Sequence, residues 1–145
     1  MDNYNEQNDV MSIEYREDIE AQLAYDFWFM NDHYYYEWDD NFTWDKNCFP
    51  MEWANGWCQL WYDTCRQLLT EVKSNFCIEQ LKEKWGYANV YYSGGITPYG
   101  REIIKQFEED SKTICEYCGS SQGIMRTDGW YKCMCDNCYK KSKEN

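Results

Sequence analysis

The chain has 145 residues, of which 19% are aromatic, and a formal net charge of −12 at pH 7. This length suits one domain with its own apolar core, and eight Trp and fourteen Tyr argue against an intrinsically disordered chain. No apolar run approaches the ~18 residues that a membrane-spanning helix needs. The start MDNYNEQNDV is acidic and polar, so no secretory signal is expected and the predicted location is the cytoplasm.

The negative charge is concentrated at one end of the chain. Residues 1–45 contain thirteen acids and one base, Arg16, so this segment carries a charge of −12, whereas residues 46–145 contain thirteen of each and are neutral. An uneven charge needs a local explanation. We divide the sequence into an acidic, aromatic segment (1–45), an α+β core (46–114) and a C-terminal module with a basic tail (115–145).

The first predicted helix begins after Ser12, which can cap it. Its apolar positions follow a rough 3.6-residue period: Ile13, Ile19, Leu23, Ala24 and Phe27. Residues 25–45, YDFWFMNDHYYYEWDDNFTWD, interleave aromatics with acids and show no clear period.

A second helix is predicted after Asn55, interpreted as its N-cap. Its apolar positions recur at steps of three and four: Trp57, Cys58, Trp61, Cys65, Leu68, Leu69 and Val72. Residues 77–92 predict two short strands separated at Gly86. Thr97 and Pro98 open a third helix that continues to about Thr113, with the proline in the first turn, where it is tolerated. This order predicts an α+β fold.

Two C-x2-C pairs near the C-terminus predict a zinc site. CEYC (115–118) and CDNC (135–138) are separated by sixteen residues, a spacing typical of zinc modules in reducing compartments. The predicted ligands are Cys115, Cys118, Cys135 and Cys138. Cys133 is an alternative to Cys135, and the choice between them depends on the repeated two-residue spacing.

The predicted zinc ion is structural. Four thiolates close the coordination shell and leave no position for an activated water, so catalysis at the metal is not expected. Gly119 after the first pair and Asp128-Gly129 in a predicted hairpin give the order knuckle, hairpin, helix, which is that of a treble clef. The hairpin contains no histidine, since the chain's single histidine is His33.

The cysteines before this motif are interpreted as small apolar residues packed in the core. Cys48, Cys58, Cys65 and Cys77 could form a second metal site, but the helix face that carries Cys58 and Cys65 is otherwise apolar. No acid, base and nucleophile set stands out, so we expect a protein that is not an enzyme.

Three stretches carry a resemblance to a known family: GWCQLWYDTCRQLL, IEQLKEKWGYANVYYSGG and SKTICEYCGSSQGIMRTDGWYKCMCDNC. From about Gly56 to Lys141 the chain resembles small uncharacterised proteins of bacteriophages and prophages, which show a Gly-Trp opening, a strand pair ending in Tyr, a Gly-rich loop and a Cys-x2-Cys-Gly zinc end. The resemblance implies a phage or mobile-element setting, hence a host cytoplasm, and no known activity. Residues 1–45 have no counterpart in the family pattern.

The acidic segment permits two interpretations. It can pack its aromatics on the core and expose its carboxylates to water. Alternatively it is a docking surface for a basic protein, because spaced carboxylates imitate phosphates and nearby aromatics act as anchors, as in a nucleic-acid mimic that inhibits a host enzyme. The candidate partner-binding residues are Tyr34, Tyr35, Tyr36, Trp38, Asp39 and Asp40.

The alternative function is nucleic-acid binding through the zinc module and its tail. Lys140, Lys141 and Lys143 form a small basic group at the C-terminal end. The charge of −12 on residues 1–45 would repel phosphates and weaken such binding. We therefore expect a protein partner first and a nucleic-acid partner second.

Overall fold

The computed structural model describes residues 9–32 and 48–144, and within them the chain mixes helices with two small antiparallel sheets. The helices and strands are α1 (Ile13–Asp26), α2 (Cys58–Leu68), β1 (Cys77–Lys84), β2 (Tyr87–Ser93), α3 (Pro98–Asp110), β3 (Ile124–Arg126), β4 (Lys132–Met134) and α4 (Asp136–Ser142). Short 3-10 turns span Trp28–Met30, Asn55–Trp57 and Ser111–Thr113. The predicted combination of helix and strand is confirmed.

Helix α1 begins where the sequence predicts. The Ser12 hydroxyl oxygen accepts a hydrogen bond from the backbone N–H of Tyr15 at 3.0 Å, which satisfies one of the free donors of the first turn. Ile19 and Leu23 face the core, whereas Ile13, expected in the same stripe, is exposed in the first turn. The helix ends because Phe27 takes an extended backbone conformation.

Helix α2 differs from its prediction at its start. The α-helix begins at Cys58 after a 3-10 turn, and Asn55 is not its cap. The Asn55 amide instead donates to the carbonyls of Val10 at 2.8 Å and Ser12 at 2.9 Å, while its oxygen accepts from Arg16. The asparagine therefore connects the N-terminal segment to the core rather than satisfying helix donors.

Strands β1 and β2 form the predicted hairpin. Lys84 pairs with Tyr87 across a two-residue turn made of Trp85 and Gly86, which have φ angles of 61° and 87°. Two positive φ values define a type I′ turn, whose twist matches that of the strands. Helix α3 follows, and the hydroxyl of Thr97 caps it by accepting from the Gly100 N–H at 2.9 Å.

One aromatic core joins α1, α2, α3 and the β1–β2 sheet. The ring centroid of Trp61 lies 4.9 Å from that of Phe107 and 6.0 Å from that of Trp53. Phe27 and Phe29 come from the acidic segment, so the described part of that segment packs on the core. No helix in the described ranges is long and apolar enough to cross a membrane.

Candidate metal centre

The first cysteine pair lies in a tight knuckle. The Gly119 N–H donates to the carbonyl of Cys115 at 2.9 Å, and the Cys115 N–H donates to the carbonyl of Ser120 at 2.8 Å. Gly119 has a φ of 82°, a conformation that glycine adopts without steric cost. The turn therefore brings the sulfurs of Cys115 and Cys118 to the same side of the backbone.

The second pair lies at the start of α4, directly after the β3–β4 hairpin. Cys135 is the N-cap of this helix, and its Sγ accepts a hydrogen bond from the Cys138 N–H at 3.4 Å. Cys138 lies in the first turn, so both sulfurs face the knuckle. The knuckle, the hairpin and the helix start therefore follow one another along the chain.

All four sulfurs converge. The Sγ atoms of Cys115, Cys118, Cys135 and Cys138 lie within 4.8 Å of one another, and the Cys118 and Cys135 sulfurs are 3.7 Å apart. A tetrahedral ion with metal–sulfur bonds of about 2.3 Å separates its ligands by about 3.8 Å. The cluster is thus suited to a metal ion.

The electrostatics of the cluster also favour a cation. The Cys138 N–H donates to Cys135 at the helix start and lowers the pKa of that thiol to about 7. Burial raises the pKa of Cys118 and of Cys138. Four closely spaced sulfurs cannot all ionise without a positive charge between them, because burial and mutual repulsion both oppose thiolates.

Cys133 lies outside this cluster. Its thiol faces the carbonyls of Ile114 at 3.2 Å and Lys112 at 3.3 Å, and burial raises its pKa to about 12. It belongs to the main aromatic core, where a protonated thiol packs as a small apolar group. The geometry therefore favours Cys135 over Cys133 as the fourth ligand.

Two hydrogen bonds that the sequence did not predict join the segment around the first cysteine pair to the 3-10 turn before α2. The Gly56 N–H donates to the Glu116 carbonyl at 2.7 Å, and the Trp57 indole N–H donates to the Ile114 carbonyl at 2.8 Å. A Cβ atom at Gly56 would lie 2.2 Å from the carbonyl oxygen of Cys115. The Gly-Trp dipeptide was the signal for this contact, because only glycine permits so close an approach.

The cysteines before the knuckle form no second metal-binding group in the described residues. Within residues 9–32 and 48–144, the only group of His, Cys, Asp and Glu side chains placed to hold a metal is the four-cysteine cluster. Cys58 and Cys65 are buried in the core, where desolvation raises the pKa of both thiols. These cysteines pack as apolar side chains, as predicted.

The residues proposed from sequence for partner binding cannot be placed in the site. Tyr34, Tyr35, Tyr36, Trp38, Asp39 and Asp40 lie outside the described residues, as does His33.

No family model, curated protein or solved structure matches the chain. Its function must therefore be inferred from its own residues and geometry.

Proposed function

We propose that the four cysteines hold a structural Zn²⁺ ion in a treble-clef module. A complete set of thiolate ligands suits zinc, and the metal would supply folding energy rather than a reactive water. The ligand positions support this, since one pair lies in a knuckle and the other at the first turn of α4 after a hairpin.

The metal assignment is tested on the purified full chain. Native mass spectrometry should show one zinc per chain, and X-ray absorption at the zinc edge should show four sulfur neighbours at about 2.3 Å. Nitrogen or oxygen neighbours, or bound iron with its visible thiolate absorption, would contradict the assignment.

We further propose that the protein is not an enzyme but binds a basic protein partner through an acidic surface. The observation that carries this proposal is the orientation of charge on α1. Glu14, Glu17 and Asp18 are exposed, and within the described ranges none of the three forms an ion pair. Their charge is therefore presented to solvent.

Arg16, the one base in this segment, is turned inward. Its guanidinium donates to the carbonyls of Met51 at 2.7 Å and Trp53 at 2.8 Å, and to Glu20 at 2.8 Å. Since its donors are used inside the fold, Arg16 does not neutralise the exposed face of α1. The sequence places further acids and aromatics after this helix, at 34–40, which lie outside the described residues.

The partner that suits this surface is a protein that normally binds nucleic acid. Carboxylates on a helix can occupy the positions of phosphates, and tyrosine and tryptophan provide anchors of the kind found at interface centres. Together with the resemblance to phage proteins, this favours inhibition of a host nucleic-acid enzyme.

Substitutions in the full chain test the surface, because α1 packs into the core and cannot be deleted. Glu14→Gln, Glu17→Gln and Asp18→Asn together should reduce recovery of the partner from host lysate and lower its association rate at low salt. A second variant would replace Tyr34, Tyr35 and Tyr36 by alanine.

The matched control neutralises three exposed acids elsewhere: Asp63→Asn, Glu79→Gln and Glu102→Gln. Equal partner recovery from the control and from both test variants would refute the acidic docking surface.

A second candidate function, nucleic-acid binding by the zinc module, is favoured by the basic end of α4. Lys140 and Lys141 are exposed, while Lys143 pairs with Asp128 at 3.2 Å. A salt-dependent shift of DNA or RNA that disappears in the Lys140→Ala, Lys141→Ala, Lys143→Ala variant would support it, and no shift at low salt would exclude it.

A further inference from the structure

Three large aromatic side chains are exposed together where the two hairpins meet. Trp85 is 63% exposed, Trp130 89% and Tyr131 45%, and the ring centroids of Trp85 and Tyr131 are 6.0 Å apart. They line a cleft, named here the aromatic cleft, between residues 82–85 of the first hairpin and 129–132 of the second. Grouped exposed rings of this kind mark binding sites more often than isolated ones do.

The two walls of the aromatic cleft are held in place. A Cβ atom at Gly86 would lie 2.3 Å from Sδ of Met125, so the first turn presses directly on β3. The Lys132 ammonium lies 3.5 Å from a carboxylate oxygen of Glu83, which joins the same two hairpins. The cleft is therefore formed in the folded chain, and the metal module positions one of its walls.

Trp85 has a backbone conformation that is unfavourable for a tryptophan. Its φ of 61° is a left-handed conformation that Asn and Gly adopt readily in a type I′ turn and that bulky side chains avoid. With its ring mostly in water, Trp85 does not recover this cost through burial. Because a strained and exposed aromatic residue does not stabilise the fold, its presence indicates a function such as ligand binding.

The charge around the rings selects the class of ligand. Four charged residues line the cleft: Lys82, Lys84, Lys132 and Glu83. The Lys132 ammonium is paired with Glu83 and with Glu116, so the positive charge open to a ligand is that of Lys82 and Lys84. Lys82 and Lys84 form no ion pair within the part of the chain that the structure describes. A ligand that uses both features carries flat rings and negative charges, whereas a proline-rich peptide would leave the lysines unused.

We infer that the aromatic cleft binds single-stranded nucleic acid. Unpaired bases stack on Trp85, Trp130 and Tyr131, and the phosphates between them pair with Lys82 and Lys84. This inference does not rest on the acidic surface of α1, and it uses a site different from the lysines of α4.

The test measures fluorescence anisotropy of a labelled oligothymidylate with the zinc-loaded full chain at about 0.1 M salt, where a Debye length of about 10 Å screens acids on distant elements. Trp130→Ala should weaken binding roughly fivefold to a hundredfold, the range for loss of one stacked base. Tyr99→Ala, which removes from α3 a ring as exposed as that of Trp85 (63%), should leave the affinity unchanged.

Trp85→Asn separates binding from folding. Asparagine suits the turn, so this variant should bind more weakly by a similar factor while its thermal midpoint stays the same or rises. Lys82→Ala with Lys84→Ala should reduce the slope of log affinity against log salt by about 1.4. Arg101→Ala with Lys105→Ala, two exposed bases on α3, is the matched control and should leave the slope unchanged.

Four results would overturn the inference: no binding of the oligonucleotide, unchanged affinity in both tryptophan variants, equal affinity for a duplex, or displacement of the oligonucleotide by a proline-rich peptide that binds more tightly. Equal affinity for a duplex would indicate contacts to phosphates alone. Selective loss in the tryptophan variants and a reduced salt slope in the lysine variant would establish the stacking site.

Discussion

The main core and the C-terminal module (115–145), which contains the four-cysteine cluster, differ in how they can be stabilised. The core buries its largest aromatic side chains almost completely: Phe27, Phe29, Trp57, Trp61, Phe76 and Phe107. In the module, the buried cluster consists of Cys115, Cys135 and Cys138 with a few partly buried neighbours. One region can be stabilised by apolar burial, whereas the other has too little apolar surface and depends on the proposed zinc ion.

Loss of the metal should have the largest effect, confined to the module. Cys138→Ser removes one of four thiolates, and metal-linked folding energy on the order of 10 kcal/mol is then lost. Hydrogen exchange measured by mass spectrometry should show residues 115–142 unprotected while α2 and the β1–β2 hairpin stay protected.

Cys77→Ser is the control for this experiment. Cys77 is half-buried, its thiol donates to the Ile78 carbonyl at 3.5 Å, and it lies outside the cluster. The control should keep one metal ion per chain. Metal retained by the Cys138→Ser protein would refute the ligand set.

Truncation in the core should destabilise the whole fold without removing the metal. Trp61→Ala deletes a fully buried ring packed against Trp53 and Phe107, and should cost about 3–5 kcal/mol in urea unfolding of the zinc-loaded protein. Under native conditions the metal content should stay at one per chain. Loss of metal from the folded variant would show that the two regions are not separable.

A substitution at the junction should affect both regions. Gly56→Ala would place a Cβ against the backbone of Cys115, which cannot move without displacing a ligand, so we expect a loss of about 1–3 kcal/mol together with faster zinc transfer to a chelator. Gly100→Ala is the control, because the three atoms nearest to its Cβ would be side-chain atoms of Ile96 and Glu71, away from the cluster. Equal zinc transfer rates in both variants would contradict the coupling.

The smallest expected effect is on the pH dependence of the unfolding free energy, and it does not involve the four-cysteine cluster. Burial raises the pKa of Glu108, whose carboxylate accepts from the Val90 N–H at 2.8 Å. Since the folded pKa exceeds the ordinary value of 4.5, the protonated form favours folding. This contribution is complete below pH 4.5 and is lost as the pH rises through the folded pKa.

Glu108→Gln cannot ionise and should lose this part of the pH dependence. The unfolding free energy of the original protein should therefore fall relative to that of the variant above pH 4.5, with metal content unchanged. Parallel pH profiles of the two proteins would contradict the expectation.

Local signals explain what the sequence predicts correctly. Ser12 and Thr97 cap their helices through bonds to residues three positions away, and the β1–β2 hairpin is marked by Gly86. The cluster of four cysteines suited to a metal ion follows from two C-x2-C pairs. Each of these features depends on nearby residues or on a motif whose chemistry is the same in any fold.

Long-range contacts explain what the sequence does not predict. Asn55 resembles a cap locally, but Val10 and Ser12 offer it acceptors more than forty positions away. The choice of Cys135 over Cys133 depends on carbonyls that come from the segment before the knuckle. The aromatic cleft likewise requires two hairpins to meet, and no periodicity encodes that.

The contact between Gly56 and the knuckle bears on the order in which the protein matures. Gly56 and Glu116 are sixty positions apart, so during synthesis the 3-10 turn before α2 leaves the ribosome long before the backbone that covers it. The Trp57 indole N–H is likewise synthesised long before its acceptor, the Ile114 carbonyl. Binding of the proposed zinc ion would then be the last step of folding. In a cell with little zinc, chains would accumulate in which the main core is folded but the knuckle does not cover Gly56 and Trp57.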